Sequence, residues 1–488
     1  MEFDCDVLIA GGGPTGVTLA ILLARRGVRV IVAEKEADIY PLPRAAHIDH
    51  EGMRILQEAG AADAVFATSR RTPRYDFLNA RGQVLLRFDR ADRMAAGGWP
   101  GANMIHQPSV EAALRTSLAS CDAAALHPRW TLERFGEDAA GLTAQLSTPE
   151  GPREIRARYL VGADGARSPV REAAGIAFDD LAFEEPWLVV DVLVDDPARL
   201  PSANLQICDP ARPTTCVLMG EGRHRWEFMI RPGETPEQVS DDAFIEKLLA
   251  PWNVAGAVRI ERKAVYTFRA RIASQWRRGH VLLAGDAAHQ TPPFAGQGMC
   301  SGLRDAANLA WKLAAVVAGH AGDGLLDSYQ PERAPNLRAT IDMAVMMGRM
   351  VCTTSRWGAF VRDTKFRLAR ALGKLPDGPA HYPPISTGVI LAGSPGAGSY
   401  FPQARCPQGR RLDDALGAGH WLIAREDLDQ PRLAPFAADL AIWLDRHQAP
   451  AVLVRPDRYV FGTGPSRELA ARWEERAARV RAETPAAA

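Results

Sequence analysis

The chain has 488 residues, a length that suits two to four domains of roughly 150 residues each. Lys and Arg together number 58, as do Asp and Glu, so no net charge attracts nucleic acid or an anionic membrane and a small molecule is the expected partner. The seven cysteines include no CxxC pair, which argues against a disulfide framework and a zinc site, and no metal is expected. The acidic start runs directly into a strand pattern, and no apolar run approaches the roughly 20 residues that span a membrane, so we expect a cytoplasmic protein without membrane contact.

Residues 7–34 have the pattern of a complete βαβ unit. A predicted strand, 7–10, leads into GGGPTG at 11–16, which fits GxGxxG, and a helix and a second strand follow and end at Glu34. In this motif the glycines allow a tight turn, the approach of a pyrophosphate and close packing of helix on strand, while the acid accepts a hydrogen bond from a ribose 2′-hydroxyl. The unit therefore predicts a dinucleotide site, and a free 2′-hydroxyl suits FAD or NAD.

Residues 153–171 repeat the arrangement of an acid at the end of a strand. A predicted strand, 153–161, runs into GADGARSPVR at 162–171, where Ser168 fits a helix N-cap followed by Pro169. Asp164 thus lies at the carboxyl end of a strand and before a helix, which is where ligands bind in doubly wound α/β folds.

Residues 281–317 are predicted as a buried strand, a loop rich in Pro and Gly, and a long helix. Asp286 follows the strand, and Gly296 and Gly298 allow the backbone to approach a ligand. Ser301 is the predicted cap of the helix, whose amino terminus suits anionic charge. Taken alone, this stretch has an alternative interpretation, an ordinary βα crossover in which Asp286 is a cap.

Strand patterns at 187–194, 204–208, 215–219 and 225–230 predict a mixed or antiparallel sheet inserted into the nucleotide-binding part. In the last of them Trp226, Phe228 and Ile230 alternate with Glu227 and Met229, so one face is strongly apolar. That face is either core or the wall of an aromatic pocket.

The C-terminal third begins with helix patterns at 329–350 and 357–372, followed by a predicted linker at 376–384. Short strand and helix patterns at 420–424, 439–444, 451–454 and 459–462 predict a small final domain without a clustered catalytic set. A charged helix and a disordered end are predicted over 466–488.

Together these motifs resemble the single-component (group A) flavoprotein aromatic hydroxylases, the class that contains para-hydroxybenzoate hydroxylase and phenol hydroxylase. The resemblance covers roughly residues 5–345 and rests on GGGPTG at 11–16, GADGARSPVR at 162–171 and LAGDAAHQTPPFAGQGM at 283–299, in that order. Within the class, stretches such as NMIHQPSVEAALR and RWEFMIRPGE are most similar to 3-(3-hydroxyphenyl)propionate hydroxylases.

The resemblance implies an α/β fold with three parts. Residues 1–75, 100–178 and 270–345 would form a Rossmann-like FAD-binding domain, and 76–99 and 179–269 an inserted substrate-binding domain built on a mixed β-sheet. Residues 346–384 would be a helical segment and linker, and 385–488 a C-terminal thioredoxin-like domain without redox cysteines.

The implied activity is hydroxylation of a phenol with non-covalently bound FAD, NADH or NADPH as co-substrate, and O2. In this class a flavin C4a-hydroperoxide transfers oxygen to the ring, and a substrate like 3-(3-hydroxyphenyl)propionate is expected. A homodimer is the expected candidate assembly. The alternatives are an FAD-dependent oxidoreductase or dehydrogenase without oxygen insertion, and a flavin-dependent halogenase, whose WxWxIP stretch this chain lacks.

The resemblance also implies roles for individual residues. Arg44 would meet the pyrophosphate and Gln107 the flavin side, Asp286 would bind the ribityl chain, and the amides of Gly298 and Met299 would lie near flavin N1 and O2. Asp164 and Arg167 belong to a motif linked to both FAD and the reduced nicotinamide. The full set of expected cofactor-binding residues is Gly11, Gly13, Pro14, Thr15, Gly16, Glu34, Lys35, Arg44, Gln107, Asp164, Gly285, Asp286, Pro293, Gly296, Gly298 and Met299.

Catalytic and substrate-binding residues are expected on the same loop and on the inserted sheet. Pro293 would lie against the reacting ring, and His289 is the second catalytic candidate, with a structural histidine as its alternative. No general base for the phenol is assigned. The expected substrate-binding residues are Trp226, Phe228, Tyr266, Phe294 and Arg212, with Arg225 as a further cation for an acidic substrate side chain.

Overall fold

The computed structural model describes residues 2–89, 91–220, 222–374 and 383–478. Residues 376–382 of the predicted linker, and the predicted disordered end from residue 479, lie outside the described residues. The protein has the predicted α/β fold, with a nucleotide-type sheet, a second mixed sheet and a small C-terminal unit. The domain bounds given above remain predictions.

The first sheet is built on parallel strands that are buried on both faces. Cys5–Ala10 is an unbroken buried apolar strand between Val30–Glu34 and Gly151–Gly162, and Val281–Leu283 pairs in parallel with the end of Gly151–Gly162. The carboxyl ends of all these strands meet at one edge, because Ala10 lies opposite both Ala33 and Gly162. Ligands are expected at this edge of a doubly wound sheet.

The second sheet has eight strands and forms the inserted part that the sequence predicts. Its central strands, Phe178–Val194, Val258–Ala273 and Arg223–Met229, are antiparallel, whereas Asn204–Cys208 and Arg74–Asn79 pair in parallel, so the sheet is mixed. One face packs on the helix Asp242–Leu249 through an apolar cluster. The opposite face turns toward the first sheet.

The C-terminal unit is a three-stranded antiparallel sheet, Trp421–Ala424, Ala451–Val454 and Val460–Gly464, with helices Ala437–Arg446 and Ser466–Ala478. It has its own apolar core, which includes Phe401, Trp443 and Val452. Its assignment as a thioredoxin-like domain stays a prediction.

The long helix of the third motif begins earlier than expected. It spans Gly298–Val317 with Gln297 at the N-cap, so Ser301 lies inside the helix and the prediction that it caps the helix is wrong. Two glycines, Gly285 and Gly296, and two prolines precede the helix in this loop, and they allow the turn to close without a side-chain cap.

The remaining elements connect these parts. No helix in the described ranges is both long and apolar enough to cross a membrane. The other helices are Pro14–Ala24, His50–Glu58, Ala62–Thr68, Gln107–Leu118, Pro169–Ala173, Pro236–Val239, Tyr329–Val351, Arg356–Ala371 and Leu412–Leu416, and the other strands are His47–Asp49, Arg70–Arg71, Val84–Asp89, Ala102–Met104, Ala124–Pro128, Thr131–Asp138, Gly141–Thr148, Thr214–Leu218, Arg277–Arg278 and His289–Gln290.

Candidate active site

The three motifs meet at the carboxyl edge of the first sheet. Gly11 has a φ of +108°, and a Cβ there would lie 2.3 Å from the carbonyl oxygen of Ala163, so the first motif touches the second. Gly285 has a φ of +62°, and a Cβ there would lie 2.8 Å from Oγ1 of Thr15, so the first motif also touches the third. A side chain at either position would clash with a neighbouring motif, and the positive φ also favours glycine, so both positions require glycine for two reasons.

The turn at 11–16 has the form of a phosphate-binding turn. A Cβ at Gly16 would lie 2.0 Å from the carbonyl oxygen of Gly11, whereas a Cβ at Gly13 would meet no heavy atom within 4 Å. Gly13 thus faces open space at the start of the helix Pro14–Ala24, whose first N–H groups have no partner within the helix. An anionic group fits this position.

Glu34 lies at the end of the second strand, as the motif requires. Its Oε2 accepts a hydrogen bond of 2.6 Å from the amide of Gly12, and its Oε1 accepts one of 2.8 Å from the amide of Glu36. These bonds fix the carboxylate beside the glycine turn, and Lys35 next to it is exposed.

Arg44 and Gln107 lie in and behind the loop that follows. Among the described residues the guanidinium of Arg44 has no hydrogen bond or ion pair, and its centre lies 5.6 Å from the ring of Tyr40. Gln107 is buried, accepts 2.7 Å from the amide of Ala45 and donates 2.7 Å to Glu111. Gln107 therefore holds the loop in place, while Arg44 remains available to an anion.

Asp164 begins the turn of the second motif. Its Oδ2 accepts from the amide of Val170 at 3.0 Å, and its Oδ1 is buried without a hydrogen-bond partner among the described residues. Burial raises the pKa of this carboxyl, although hydrogen bonds from Ser168 and Val170 oppose the shift. Arg167 in the same turn is exposed.

The third motif contributes a carboxylate and the start of a helix. Enclosure by the surrounding protein raises the pKa of Asp286, and His289 and Arg44 oppose this shift. The Asp286 side chain is nevertheless exposed to solvent, so it is crowded by protein and not sealed from water. Pro293–Ala295 forms a short turn that ends at Gly296 with φ +63°. A Cβ at Gly298 would meet no heavy atom within 4 Å, and Met299 follows in the first turn of the helix.

These features fit FAD. The glycine turn and the helix starting at Gly298 both open onto free space, Arg44 is an unpaired cation, and Asp164 Oδ1 is an unpaired acceptor. They also place the expected cofactor-binding residues of the three motifs around one edge of the sheet.

His289 lies away from open space. It is fully buried, its Nε2 is 2.6 Å from Oδ2 of Asp305, and the other oxygen of Asp305 accepts from Arg333 Nε at 3.0 Å. Asp305 Oδ2 also accepts from the amide of Gly285 at 3.1 Å. This network holds the loop to the helix behind it, which fits the structural alternative for His289 and not a catalytic contact.

Three of the expected substrate-binding residues are placed elsewhere. Trp226 and Phe228 lie on the face of the second sheet that packs on the helix Asp242–Leu249, with ring centroids of Trp226 and Trp252 5.8 Å apart. Arg212 lies on that side as well, donating 2.9 Å to Glu234 and lying 5.6 Å from the ring of Phe244. The structure does not bring these residues to the flavin site, because the strands turn their alternate residues toward it.

Tyr266 and Phe294 lie on the side of the second sheet that meets the loop of the third motif. Trp187 is opposite Tyr266 in the sheet, so the two share a face, and the ring of Trp187 is 5.6 Å from that of Phe294. Phe294 itself is buried among aromatic rings directly after Pro293. These contacts join the second sheet to the loop of the third motif.

The face of the second sheet opposite the helix Asp242–Leu249, which we call the inward face, carries polar groups, of which only Arg225 was a candidate from the sequence. Arg225 and Asp191 form a buried pair at 2.6 Å, and Arg225 also donates 2.7 Å to the carbonyl oxygens of Pro43 and Arg44. Glu227 lies two residues further along the same strand. The period-two alternation of residues 225–229 predicts a polar face opposite the apolar one, but it leaves open which of the two faces lines the pocket.

Comparisons with known proteins agree with this geometry. The family described as the FAD binding domain matches residues 4–344. The chain is 40% identical over 366 residues to a 3-(3-hydroxy-phenyl)propionate/3-hydroxycinnamic acid hydroxylase of Mycolicibacterium smegmatis, covering 75% of this chain but only 64% of that protein. It is 35% identical over 495 residues to a probable NADH-specific resorcinol 4-hydroxylase of Rhodococcus jostii, covering 94% of this chain and 91% of that protein. Among solved structures, aklavinone-11 hydroxylase in a ternary complex with FAD and aklavinone superposes with a TM-score of 0.78 at 26% identity, over 98% of this chain and 99% of that one.

Proposed function

The chain belongs to the FAD-binding domain family and is an FAD-dependent aromatic monooxygenase, and on that premise we propose that it hydroxylates a phenol in the space between Pro293 and the inward face of the second sheet. It uses a reduced nicotinamide and O2 as co-substrates. The alternative of an oxidoreductase without oxygen insertion is not favoured, since the relatives are hydroxylases.

The observation that carries the proposal is the meeting of the three motifs at one edge, facing a polar sheet surface. When bound, FAD supplies hydride acceptance and oxygen activation, and the protein supplies binding, orientation and exclusion of water. The glycine turn at 11–16 and Arg44 would hold the pyrophosphate, with Glu34 on the adenosine ribose. Asp286 would bind the ribityl chain.

The reacting end of the bound flavin would lie at the start of the helix Gly298–Val317. The N–H groups of Gly298 and Met299 would face the anionic edge of the reduced flavin, where the helix terminus stabilises negative charge. Pro293, at the beginning of the preceding turn, would lie against the ring that reacts. Tyr266, Phe294 and the neighbouring Trp187 would supply the apolar part of the wall.

Two substrate classes follow from the relatives, and the charges of the pocket favour one of them. A substrate like 3-(3-hydroxyphenyl)propionate brings a carboxylate that calls for a cation. Arg212 is paired with Glu234 away from the pocket. The two arginines of the inward face, Arg225 and Arg262, share Asp191, with Glu227 3.7 Å from Arg225, so the side-chain charges of this face already balance. This supports an uncharged phenol such as resorcinol as the better substrate, with 3-(3-hydroxyphenyl)propionate as the second candidate.

The test is NADH oxidation by FAD-loaded protein across a panel of phenols, with the hydroxylated product quantified. We expect resorcinol to accelerate NADH oxidation and to yield one product per NADH. A phenol that accelerates oxidation without product is an uncoupling effector and not a substrate. The proposal is contradicted if no phenol of the panel, including 3-(3-hydroxyphenyl)propionate and 3-hydroxycinnamate, is hydroxylated by FAD-loaded protein.

A homodimer and a cytoplasmic location complete the proposal. The helix Arg356–Ala371 exposes Trp357 and Phe360, which stack with their ring centroids 5.6 Å apart, and this apolar surface supports self-association. All seven cysteines are free, which supports a reducing compartment. Sedimentation velocity would measure the assembly, with a dimer as the expected species.

A further inference from the structure

Glu227 lies at the centre of the inward face of the second sheet. It is directly opposite Val189 on one neighbouring strand and Thr215 on the other, and residues opposite each other in a sheet share a face. Two residues before it, Arg225 contacts the carbonyl oxygens of Pro43 and Arg44. Glu227 therefore faces the flavin site and not the helices behind the sheet.

The other end of the same strand fixes its position more closely. Two residues after Glu227, Met229 is paired with Trp187, whose ring lies 5.6 Å from Phe294. Phe294 follows Pro293 directly. Glu227 thus lies between the loop that carries Arg44 and the turn that carries Pro293, which is the span that a ring beside the flavin would occupy.

The Glu227 carboxylate is not satisfied by the protein. It accepts no hydrogen bond from any described residue, and its nearest cation, Arg225 Nη1, is 3.7 Å away and already bonded to Asp191. Glu227 is 8% exposed, and neither of its oxygens is among the buried atoms that lack both solvent and a partner. Buried carboxylates normally have a hydrogen-bond partner, so the open lone pairs of Glu227 are available to a donor from a ligand or a water molecule.

The polar neighbours of Glu227 are occupied with one another. Thr215 Oγ1 donates 2.7 Å to Gln206 Oε1, and Gln206 Nε2 donates 2.7 Å to the hydroxyl of Tyr75. This chain runs across three strands of the sheet beside Glu227. These hydrogen bonds satisfy the polar side chains beside Glu227. The Glu227 carboxylate is therefore the acceptor in this part of the face that has no donor among the described residues.

We propose that Glu227 is the residue that binds the phenolic hydroxyl of the substrate and accepts its proton, a role that rests on the proposed hydroxylase function. The O–H bond of the phenol breaks, an O–H bond to the Glu227 carboxylate forms, and no electrons are exchanged. The phenolate that results has a more electron-rich ring, which favours attack on an electrophilic oxygen. Glu227 is thus assigned as the general base.

The protonation of Glu227 supports this role. Burial raises its pKa to about 7, with Arg225 lowering it and Asp191 raising it. Tyr75 is the further titratable group on this face that interacts with Glu227. A base whose pKa lies near the working pH is the most effective one.

The test measures the affinity of FAD-loaded protein for resorcinol and for 3-(3-hydroxyphenyl)propionate between pH 6 and 8, by the change in flavin absorbance. For a base with a pKa of about 7, the charged fraction and hence the affinity rise about tenfold over this range. Glu227→Gln should bind weakly with no such rise and lose most of kcat, whereas Glu227→Asp should keep the rise. Glu184→Gln, on an exposed position of the same sheet, is the matched control and should behave as the wild type.

Two results would overturn the proposal. One is a Glu227→Gln protein that folds, binds FAD and keeps the tenfold rise in affinity. The other is a Glu184→Gln protein that loses the rise to the same extent, since the effect would then not belong to the pocket. These outcomes differ from failure of the hydroxylase function, in which the wild-type protein itself forms no hydroxylated product.

Discussion

Arg44 and Glu34, two charged side chains of the nucleotide site, differ in how the protein satisfies them. Glu34 already accepts two backbone hydrogen bonds, whereas Arg44 has no ion-pair partner among the described residues. A charge that the protein leaves unpaired contributes most when a ligand supplies the partner. Arg44 should therefore carry more of the FAD affinity than its exposed position in a loop suggests.

Replacing Arg44 by Ala should weaken FAD binding by about tenfold to a hundredfold, since hydrogen bonds to charged groups contribute roughly 1.5–3 kcal/mol. Fluorescence titration of the apoprotein with FAD measures the loss. Arg259→Ala removes an exposed arginine that is paired with Asp195 on the second sheet and should leave the affinity unchanged. Equal losses in both variants would mean that overall charge, and not Arg44 itself, holds the cofactor.

Glu227 should also make the stability of the protein fall with rising pH. Its pKa is about 7 in the folded chain because of burial, above the ordinary glutamate value, so the folded state binds more protons between about pH 4.5 and 7. The stabilisation that accompanies the raised pKa of Glu227 is fully present below pH 4.5 and is lost as the pH rises through 7. A pKa shift of this size corresponds to a change of up to about 3 kcal/mol in the free energy of unfolding.

Glu227→Gln removes this titration. Its free energy of unfolding relative to the wild type should therefore increase between pH 5 and pH 8, measured by urea denaturation at each pH. A difference between the two proteins that stays constant over this range would show that Glu227 is not perturbed.

The sequence was informative about single residues where a motif fixes the backbone, and less so elsewhere. Asp164 and Asp286 could be placed at strand ends because glycines and prolines around them define the turn. Glu227 could not be recognised, because the alternation of its strand leaves open which face meets the flavin. His289 was ambiguous for a similar reason, since its partner Asp305 lies 16 residues away on the following helix.

At the scale of elements, the loop of the third motif depends on close packing against the first helix. Cβ atoms at Gly285 and Gly302 would lie 2.8 Å and 2.2 Å from Oγ1 of Thr15. The helix Gly298–Val317 can therefore approach the helix Pro14–Ala24 only because these two positions lack side chains. The approach brings the starts of both helices to the same edge of the sheet.

Gly285→Ala tests this packing. The positive φ and the clash with Thr15 should together destabilise the protein by about 2–3 kcal/mol and weaken FAD binding. Gly82→Ala is a matched control, because Gly82 has a φ of +72° but open space around it, and it should cost only the roughly 1 kcal/mol of the backbone conformation. Thermal denaturation and FAD titration measure the two effects, and equal losses in both variants would rule out a role for the contact.

Elements were predicted well where periodicity is clear. The strand Asn204–Cys208 and the strand Ala451–Val454 have the predicted bounds, and other strands differ at their ends by a few residues. Phe178–Val194 is nine residues longer at its start than predicted, because its first half is partly exposed and includes a register shift that breaks the apolar pattern. Such a stretch is ordered by its partner strand and not by its own sequence.

At the scale of the whole molecule, buried ion pairs connect the C-terminal unit to the rest of the chain. Glu332 accepts from Lys312 at 2.8 Å and from Arg455 at 2.6 Å, and all three are fully buried. On the other side, Arg54 is paired with Asp413 at 2.6 Å. Although burial opposes its ionisation, Arg455 and Lys312 lower the pKa of Glu332 to about 2, so it remains charged near neutral pH.

Glu332→Gln should destabilise the protein by about 3–5 kcal/mol, because two buried cations would lose their shared carboxylate. The effect should appear first as release of the C-terminal unit, measured as faster hydrogen exchange of the strand Ala451–Val454. Asp445→Asn, in an exposed pair with Arg425, should change stability by less than about 1 kcal/mol. Independent unfolding of the C-terminal unit in the wild type would contradict this coupling.

The assembly of the three motifs was predictable from their resemblance to a known class, whereas the contacts between distant parts were not. The pairs Arg225 with Asp191 and Arg455 with Glu332 join residues that are far apart in the chain, and no local pattern marks them. The same contacts decide which sheet face the substrate meets. Long-range pairing of this kind needs the folded structure.

The central claim is that one atom of O2 enters a phenol at this site, and labelled oxygen tests it most directly. FAD-loaded protein, NADH and resorcinol under 18O2 should give a hydroxylated product that carries one 18O atom, while 18O-labelled water under ordinary O2 should give none. Hydroxylated product without label from 18O2, or label taken from water, would contradict the account.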